Sequence, residues 1–254
     1  MSAASFANLP ALIGRFIWFA SQCLVYLPAA VIRPGAVWRQ LHGMLLGTLP
    51  LAIVAGAALG VVAWMQIRGL LFSFSSESLL PSALALAVVR GVGPVIAGLI
   101  ASGRVGAGLG AELGSLKITE QVDALRVLGV SPISRVVAPR VLACVIALPI
   151  LTLFVDYLAI LSGYVAEAAG GSLTWTEYRM EAVRFLRLVE VIPATLKTTV
   201  FGFWIAVSGC WWGLEIDGGT EDVGRAATRA VVQATLLVLI SDVVMVRVLQ
   251  LVTP

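Results

Sequence analysis

The sequence predicts an all-α integral membrane protein: an N-terminal interfacial helix, then five transmembrane helices, with a compact charged helix between the second and third spans. Three observations predict it. Of 254 residues, 59% are hydrophobic and 12% charged, at a mean hydropathy of +0.99, whereas a soluble domain carries about a quarter charged residues. The apolar residues gather into long runs of membrane-crossing length. The one long departure, Arg104 to Arg140, turns small and glycine-rich and then charged before apolar sequence resumes at Val141. A net charge of +3 is too small to argue for nucleic acid. Cys23, Cys144 and Cys210 lie inside apolar runs without metal-ligand spacing, and read as small buried hydrophobes. No internal repeat and no separate soluble domain is visible, so residues 1–254 form one domain: an N-terminal region, 1–42, and a five-span bundle, 43–254.

Phe16 to Ile32 is an uncharged run of 17 residues interrupted by Pro28. That is short for a crossing of about 20 residues, so a helix lying in the interface is expected. The run has no small-residue cleavage site, and a cleaved signal peptide is not expected. Gly43 to Ile67, 25 residues without a charge, is the first span. Gly56 and Gly60 within it form a small-xxx-small face suited to close helix packing, or else glycines tolerated against lipid. Leu79 to Gly103 is the second span, with Arg90 near its middle. Val141 to Ala166 is the third and contains Asp156. Thr174-Trp-Thr-Glu177 fits a capping box, and Tyr178, Ala182, Phe185, Leu186 and Val189 follow at helical spacing, predicting an amphipathic surface helix. Val191 to Leu214, with Lys197, is the fourth span, and Ala230 to about Leu251, with Asp242, is the fifth.

Lysine and arginine counts set the expected orientation. With the N-terminus cytoplasmic, ten basic residues fall inside and six outside, Arg90 excluded. The C-terminus is then periplasmic and the 104–140 excursion cytoplasmic. In that excursion Gly106, Gly110 and Gly114 recur every four residues and stack on one helix face, admitting another backbone. Ile118, Val122, Leu125 and Leu128 make an apolar stripe, with Glu120, Asp123 and Arg126 on other faces. Gly129, then Ser131-Pro132, stops the helix. Such a unit suits docking into a soluble partner, and equally suits a solvated loop helix tucked against the bundle.

The stretch Gly93 to Arg140 resembles the signature region of the MlaE/YrbE permeases, membrane subunits of ABC-type lipid transporters that work with MCE-domain proteins. The resemblance rests on Gly93-Pro94, Ser102-Gly103-Arg104-x-Gly106, Ala111-Glu112-Leu113-Gly114, Thr119-Glu120-Gln121, Ser131-Pro132 and Pro139-Arg140, and extends from about Gly43 to Leu251. Two positions depart: Gly91 stands where the family has a glutamate after the arginine, and Ser131 where it has an aspartate. The resemblance implies a homodimeric permease of a bacterial inner membrane with phospholipid as cargo. It implies a separate ABC ATPase that binds ATP and magnesium, an MCE-domain ring, and a small accessory STAS-type subunit. Glu112, Thr119, Glu120, Gln121 and Asp123 would shape the unit that meets the ATPase. This chain has no Walker A motif and no cofactor of its own is expected.

Arg90, Lys197, Asp242 and Asp156 are the ionisable residues at membrane depth, where such groups face a bundle interior or a cavity. Counted along their helices, all four fall in the outer half of the membrane. They read as a lipid-headgroup site, or as charges that neutralise one another in packing. With Gly91 beside Arg90, the nearest internal acid expected at that depth is Asp242. Five spans enclose little room for a two-tailed lipid, so the cavity is expected between two copies, with Gly56 and Gly60 as candidates for their close approach. An intramembrane enzyme is a poor fit: His42 is the only histidine, and no nucleophile motif or metal cluster accompanies it. A scaffold that merely anchors partners would not need four charges at membrane depth. A secondary transporter is disfavoured by the missing repeat.

Overall fold

The computed structural model describes residues 9–74, 77–170, 173–184, 186, 188–216 and 218–252, and among them every regular element is helical. Helix α1 is Leu9–Val31 and α2 is Pro34–Ser73. A short 3-10 turn, Glu77–Leu79, leads into α3, Leu80–Ile118. Then come α4 (Gln121–Val127), α5 (Ala138–Gly170), α6 (Trp175–Arg184), α7 (Leu188–Leu214) and α8 (Thr220–Val252). Among the described residues six helices, α1, α2, α3, α5, α7 and α8, are long and apolar enough to cross a membrane. The expectation set α1 apart as too short. Arg15 does not end the helix: it continues to Leu9, and Arg15 pairs with Glu215 at 3.0 Å. By length and composition α1 therefore joins the other five. At 40 residues α2 is about 60 Å long, twice an apolar core of about 30 Å, so it extends well past its uncharged run.

Backbone hydrogen bonding changes three times along the long helices. Val88–Val92 and Ser102–Gly106 are π turns inside α3, and Ile133–Val137 is a π turn leading into α5. Each holds an arginine at its third position: Arg90, Arg104 and Arg135. Two are explained by proline. Pro94 follows Arg90 by four residues and Pro139 follows Arg135 by four. A proline there has no N–H for the arginine carbonyl, and its ring crowds that carbonyl. The helix widens locally instead, with the Gly93 N–H bonding to Val88 O and the Ala138 N–H to Ile133 O, five residues back. No proline accounts for the third turn.

The chain divides into two compact units: Met1–Met44, Ser102–Cys144 and Phe203–Leu236 in one; Leu45–Ala101, Val145–Gly202 and Leu237–Pro254 in the other. In the first unit, Phe16, Phe19, Ala20 and Cys23 form the buried stripe of α1, with Phe16 stacked on Trp204 and Phe19 tilted against Trp211. Glycines set the closest helix contacts. A β-carbon on Gly110 would lie 3.2 Å from Ala227 Cα, and one on Gly114 would lie 2.4 Å from Ile216 Cδ1. The expected Gly106–Gly110–Gly114 face is thus used. Its counterpart on α7, Gly209 and Gly213, was not expected; β-carbons there would sit 3.0 Å from Gly106 O and 2.9 Å from Gly110 O. The four-residue spacing of Gly209 and Gly213 was the available signal.

In the second unit, α2 packs on α5 through Gly56 and Gly60. A β-carbon on Gly60 would fall 1.9 Å from Ala159 O, and one on Gly56 3.0 Å from Val155 O. These glycines were expected as candidates for contact between two copies. The structure corrects that, because their close approach is spent within the chain. The capping box forms: the Thr174 N–H donates to Glu177 Oε2 at 2.9 Å, and the Glu177 N–H returns a longer bond to Thr174 Oγ1 at 3.4 Å. Tyr178 and Ala182 are buried on α6 against Leu80 and Ala85, as the spacing predicts. Phe185 and the side chain of Val189 lie outside the described residues.

Candidate functional site

The second unit holds a buried ionic cluster built around the π turn at Arg90. Because Pro94 offers no N–H, the Arg90 carbonyl lacks its α-helical partner. Lys197 supplies one from α7, donating from Nζ to Arg90 O at 3.0 Å. The same ammonium lies 2.9 Å from Asp242 Oδ1 on α8. That contact is an ion pair by distance but lacks the alignment of a hydrogen bond, so Oδ1 keeps an unfilled acceptor position. The Lys197 side chain is 1% exposed and that of Asp242 18%. A buried ammonium is costly without partners, and here a carboxylate and a carbonyl share it.

Asp156 enters from α5. It is buried, its Oδ1 has no hydrogen-bond partner, and it lies within electrostatic reach of Lys197. Its carboxylate rests against Gly93, where a β-carbon would fall 1.8 Å from Oδ1. Gly93 therefore leaves the room that Asp156 occupies, a role the Gly93-Pro94 pair hinted at without specifying. Three of the four expected charges meet here together with the carbonyl of the fourth. The side chain of Arg90 itself is exposed. Asp242, expected opposite Arg90, sits on Lys197, and Lys197 is what connects it to the Arg90 backbone. Chemically the cluster offers one cation, two carboxylates with unfilled acceptor positions, and an exposed guanidinium.

The first unit holds the charged segment that the sequence singles out. Thr119 closes α3 by donating from Oγ1 to Ser115 O at 2.8 Å. Glu120 turns the chain with φ +58°, a left-handed conformation that costs a residue with a β-carbon about 1–2 kcal/mol. Gln121 donates to Thr119 Oγ1 at 3.0 Å. Asp123 accepts from Lys117 at 2.9 Å and from Arg126 at 2.8 Å. The hydrogen bond from Lys117, with the charges of Lys117 and Arg126, holds its carboxyl below the usual carboxylate range. Glu112 pairs with Arg140 at 2.7 Å, linking α3 to the start of α5. Gly129, at φ +71°, ends the segment as expected, with the Val130 N–H bonding to Leu125 O.

The expected apolar stripe is only partly realised. Val122 is buried, but Leu128 is 75% exposed, as is Val127 at 88%. Helix α4 ends at Val127, and Leu128 is its C-cap: its N–H still bonds to Ala124 O, but its side chain has nothing to pack on. The result is an apolar tip, Val127, Leu128 and Val130, carried by an ion-paired turn.

Comparison with known proteins gives one consistent answer. The family described as Permease MlaE matches residues 37–248. A probable ABC transporter permease protein of Rickettsia typhi is 37% identical over 218 residues, 84% of each chain. The intermembrane phospholipid transport system permease protein MlaE of Haemophilus influenzae is 29% identical over 220 residues, covering 82% of this chain and 80% of that one. The chloroplastic protein trigalactosyldiacylglycerol 1 of Arabidopsis thaliana is 38% identical over 162 residues, 64% of this chain and 46% of its own.

Proposed function

The chain belongs to the MlaE permease family, and from that premise we propose that it is the membrane subunit of an ABC-type phospholipid transporter, working as a homodimer and driven by ATP and magnesium bound to a separate ATPase. The observation that carries the reading is the buried cluster of Lys197, Asp242 and Asp156 at the π turn of Arg90. Charges at this depth are costly, and their unfilled acceptor positions and the neighbouring guanidinium suit a phosphate-bearing headgroup with its amine or hydroxyl substituents. The apolar surfaces of the long helices suit the acyl chains. The tip of Val127, Leu128 and Val130 would enter a groove on the ATPase, with Glu112, Thr119, Glu120, Gln121 and Asp123 fixing its shape. In this reading α1 lies along the cytoplasmic interface and the other five long helices cross an inner membrane, which leaves the N-terminus cytoplasmic and the C-terminus periplasmic. The opposite face would meet an MCE-domain ring, and a STAS-type subunit would accompany the ATPase.

The test is to purify the chain with its ATPase subunit, identify the bound lipid by mass spectrometry, and follow ATP-driven transfer of a labelled phospholipid between vesicles. Arg90→Ala and Lys197→Met are expected to lower transfer at least about tenfold, the scale of one lost charge-assisted contact, while leaving the ATPase attached. Full transfer by both variants would sink the headgroup role. Leu128→Asp is expected to release the ATPase without changing bound lipid; undisturbed association would count against the docking role.

A further inference from the structure

The first unit carries a second cationic site that the transport reading does not use. A cavity of about 540 Å3 is lined by Arg33, Arg39, Arg135 and Arg140, with Ala36, Gln40 and Pro139. Arg33 and Arg39 flank the start of α2. Arg135 lies in the π turn before α5, and Arg140 in the first turn of α5 proper. Four guanidinium groups around one space repel one another unless an anion joins them. The acid paired there is Glu112, on Arg140. Arg33 donates to a backbone carbonyl, Ser134 O, at 3.4 Å. Arg39 and Arg135 have no ion-pair partner among the described residues. Among the described residues, the four arginines of the lining meet one carboxylate, that of Glu112 on Arg140, which leaves three positive charges for a ligand to neutralise.

The surroundings indicate where that ligand comes from. Ile32 is 81% exposed and Trp38 66%, on either side of Arg33 and next to Arg39. Exposed tryptophan with arginine at the end of an apolar run marks the headgroup level of a bilayer, and a basic pocket between helices at that level recognises anionic headgroups. Guanidinium presents paired donors to phosphate oxygens, which ammonium does not. We propose that this cavity binds the phosphate of an anionic membrane lipid as a resident ligand, separate from the transported cargo. The arginine count that sets the expected orientation would place it at the cytoplasmic leaflet, where anionic lipid faces polybasic segments. Because Arg140 also holds Glu112, the bound phosphate would share a guanidinium with the end of α3 that leads into the charged turn.

The experiment uses the whole transporter in nanodiscs of phosphatidylcholine, with and without phosphatidylglycerol, and reads retained lipid by native mass spectrometry and the thermal midpoint of the complex. Phosphatidylglycerol is expected to be retained and to raise the midpoint; the Arg39→Gln/Arg135→Gln double variant is expected to retain it on the order of thirtyfold less. Arg39→Lys/Arg135→Lys keeps the charge and should recover part of that loss, separating binding from misfolding. The headgroup site of the other unit is read separately, by ATP-driven phospholipid transfer, which the glutamine variant should leave in place, so failure of the transport reading does not imitate failure here. Inorganic phosphate alone, in phosphatidylcholine discs, should raise the midpoint far less than phosphatidylglycerol. An equal rise would make the ligand free phosphate and overturn the lipid assignment. Unchanged phosphatidylglycerol retention by the glutamine variant would overturn the site, as would unchanged retention accompanied by loss of the ATPase, which would reassign the arginines to an acidic protein segment.

Discussion

Two ion-paired clusters in this protein have the same contact distance and opposite meanings. Lys197 meets Asp242 at 2.9 Å with side chains 1% and 18% exposed, whereas Lys117 meets Asp123 at the same 2.9 Å with side chains 22% and 43% exposed. In the second case water can replace either partner, so the pair shapes a turn and contributes little else. In the first, each partner is a condition for the other's presence, because an unpaired charge there has no solvent to turn to. Distance alone does not rank ion pairs; the surrounding medium does.

The largest effect should come from breaking the buried pair on one side. Asp242→Ala leaves Lys197 with the Arg90 carbonyl and the unbonded Asp156 carboxylate, and is expected to destabilise the transporter by about 3–5 kcal/mol, read as a fall in thermal midpoint in detergent. The Asp242→Leu/Lys197→Met double variant should recover much of that loss while remaining inactive. If it is no more stable than the single variant, the pair is not the buried unit described. Next is a test of the medium with the charges untouched. Gly93→Ala places a methyl group against Asp156 Oδ1 and is expected to cost about 1–3 kcal/mol through overpacking, visible in the same melt. A wild-type midpoint would mean that Asp156 moves aside freely.

Smaller effects should appear at the exposed cluster. Glu120→Gly relieves the left-handed backbone, and its gain is offset by about 0.5–1 kcal/mol of added chain freedom. Amide exchange across α4 should therefore stay within a few fold of wild type, while Glu120→Val, β-branched at positive φ, should speed it clearly. Smallest is the pH response of Asp123. Its carboxyl is held below the usual range, so its stabilising contribution is present above the unfolded value of about 3.9 and is lost only as pH falls through the lower folded value. Exchange in α4 should be insensitive to protonation of this group between pH 7 and 5, accelerate below about pH 4 after correction for intrinsic rates, and lose that acid dependence in Asp123→Asn.

Much of this was legible in the chain. Long uncharged runs disclose membrane helices because lipid leaves backbone groups no other partner. The four buried-depth charges were visible as exceptions to those runs, and three of them meet. What periodicity could not convey was pairing across helices: Asp242 lies on Lys197 because Pro94 orphaned a carbonyl that the lysine then satisfies, a chain of causes crossing three helices. Gly56 and Gly60 announced close packing but not with which neighbour, and α5 is the answer. Leu128 followed the apolar spacing yet fell one residue beyond the helix. The arginine cavity is not legible in the chain because its members come from segments about a hundred residues apart.

The π turns have a consequence for how this protein tolerates insertions and deletions. Each one delays the helix by roughly a residue, which is about 100° of rotation in an α-helix of 3.6 residues per turn. Everything downstream is phased to that delay: beyond the turn at Arg90 comes Gly98, packed against Val238 and Phe201. A one-residue deletion inside Val88–Val92 that restored regular α-helix would conserve almost the entire composition of α3 and yet swing its distal faces away from their partners. The turns therefore act as phase setters, and the residue count between them matters as much as the residues themselves.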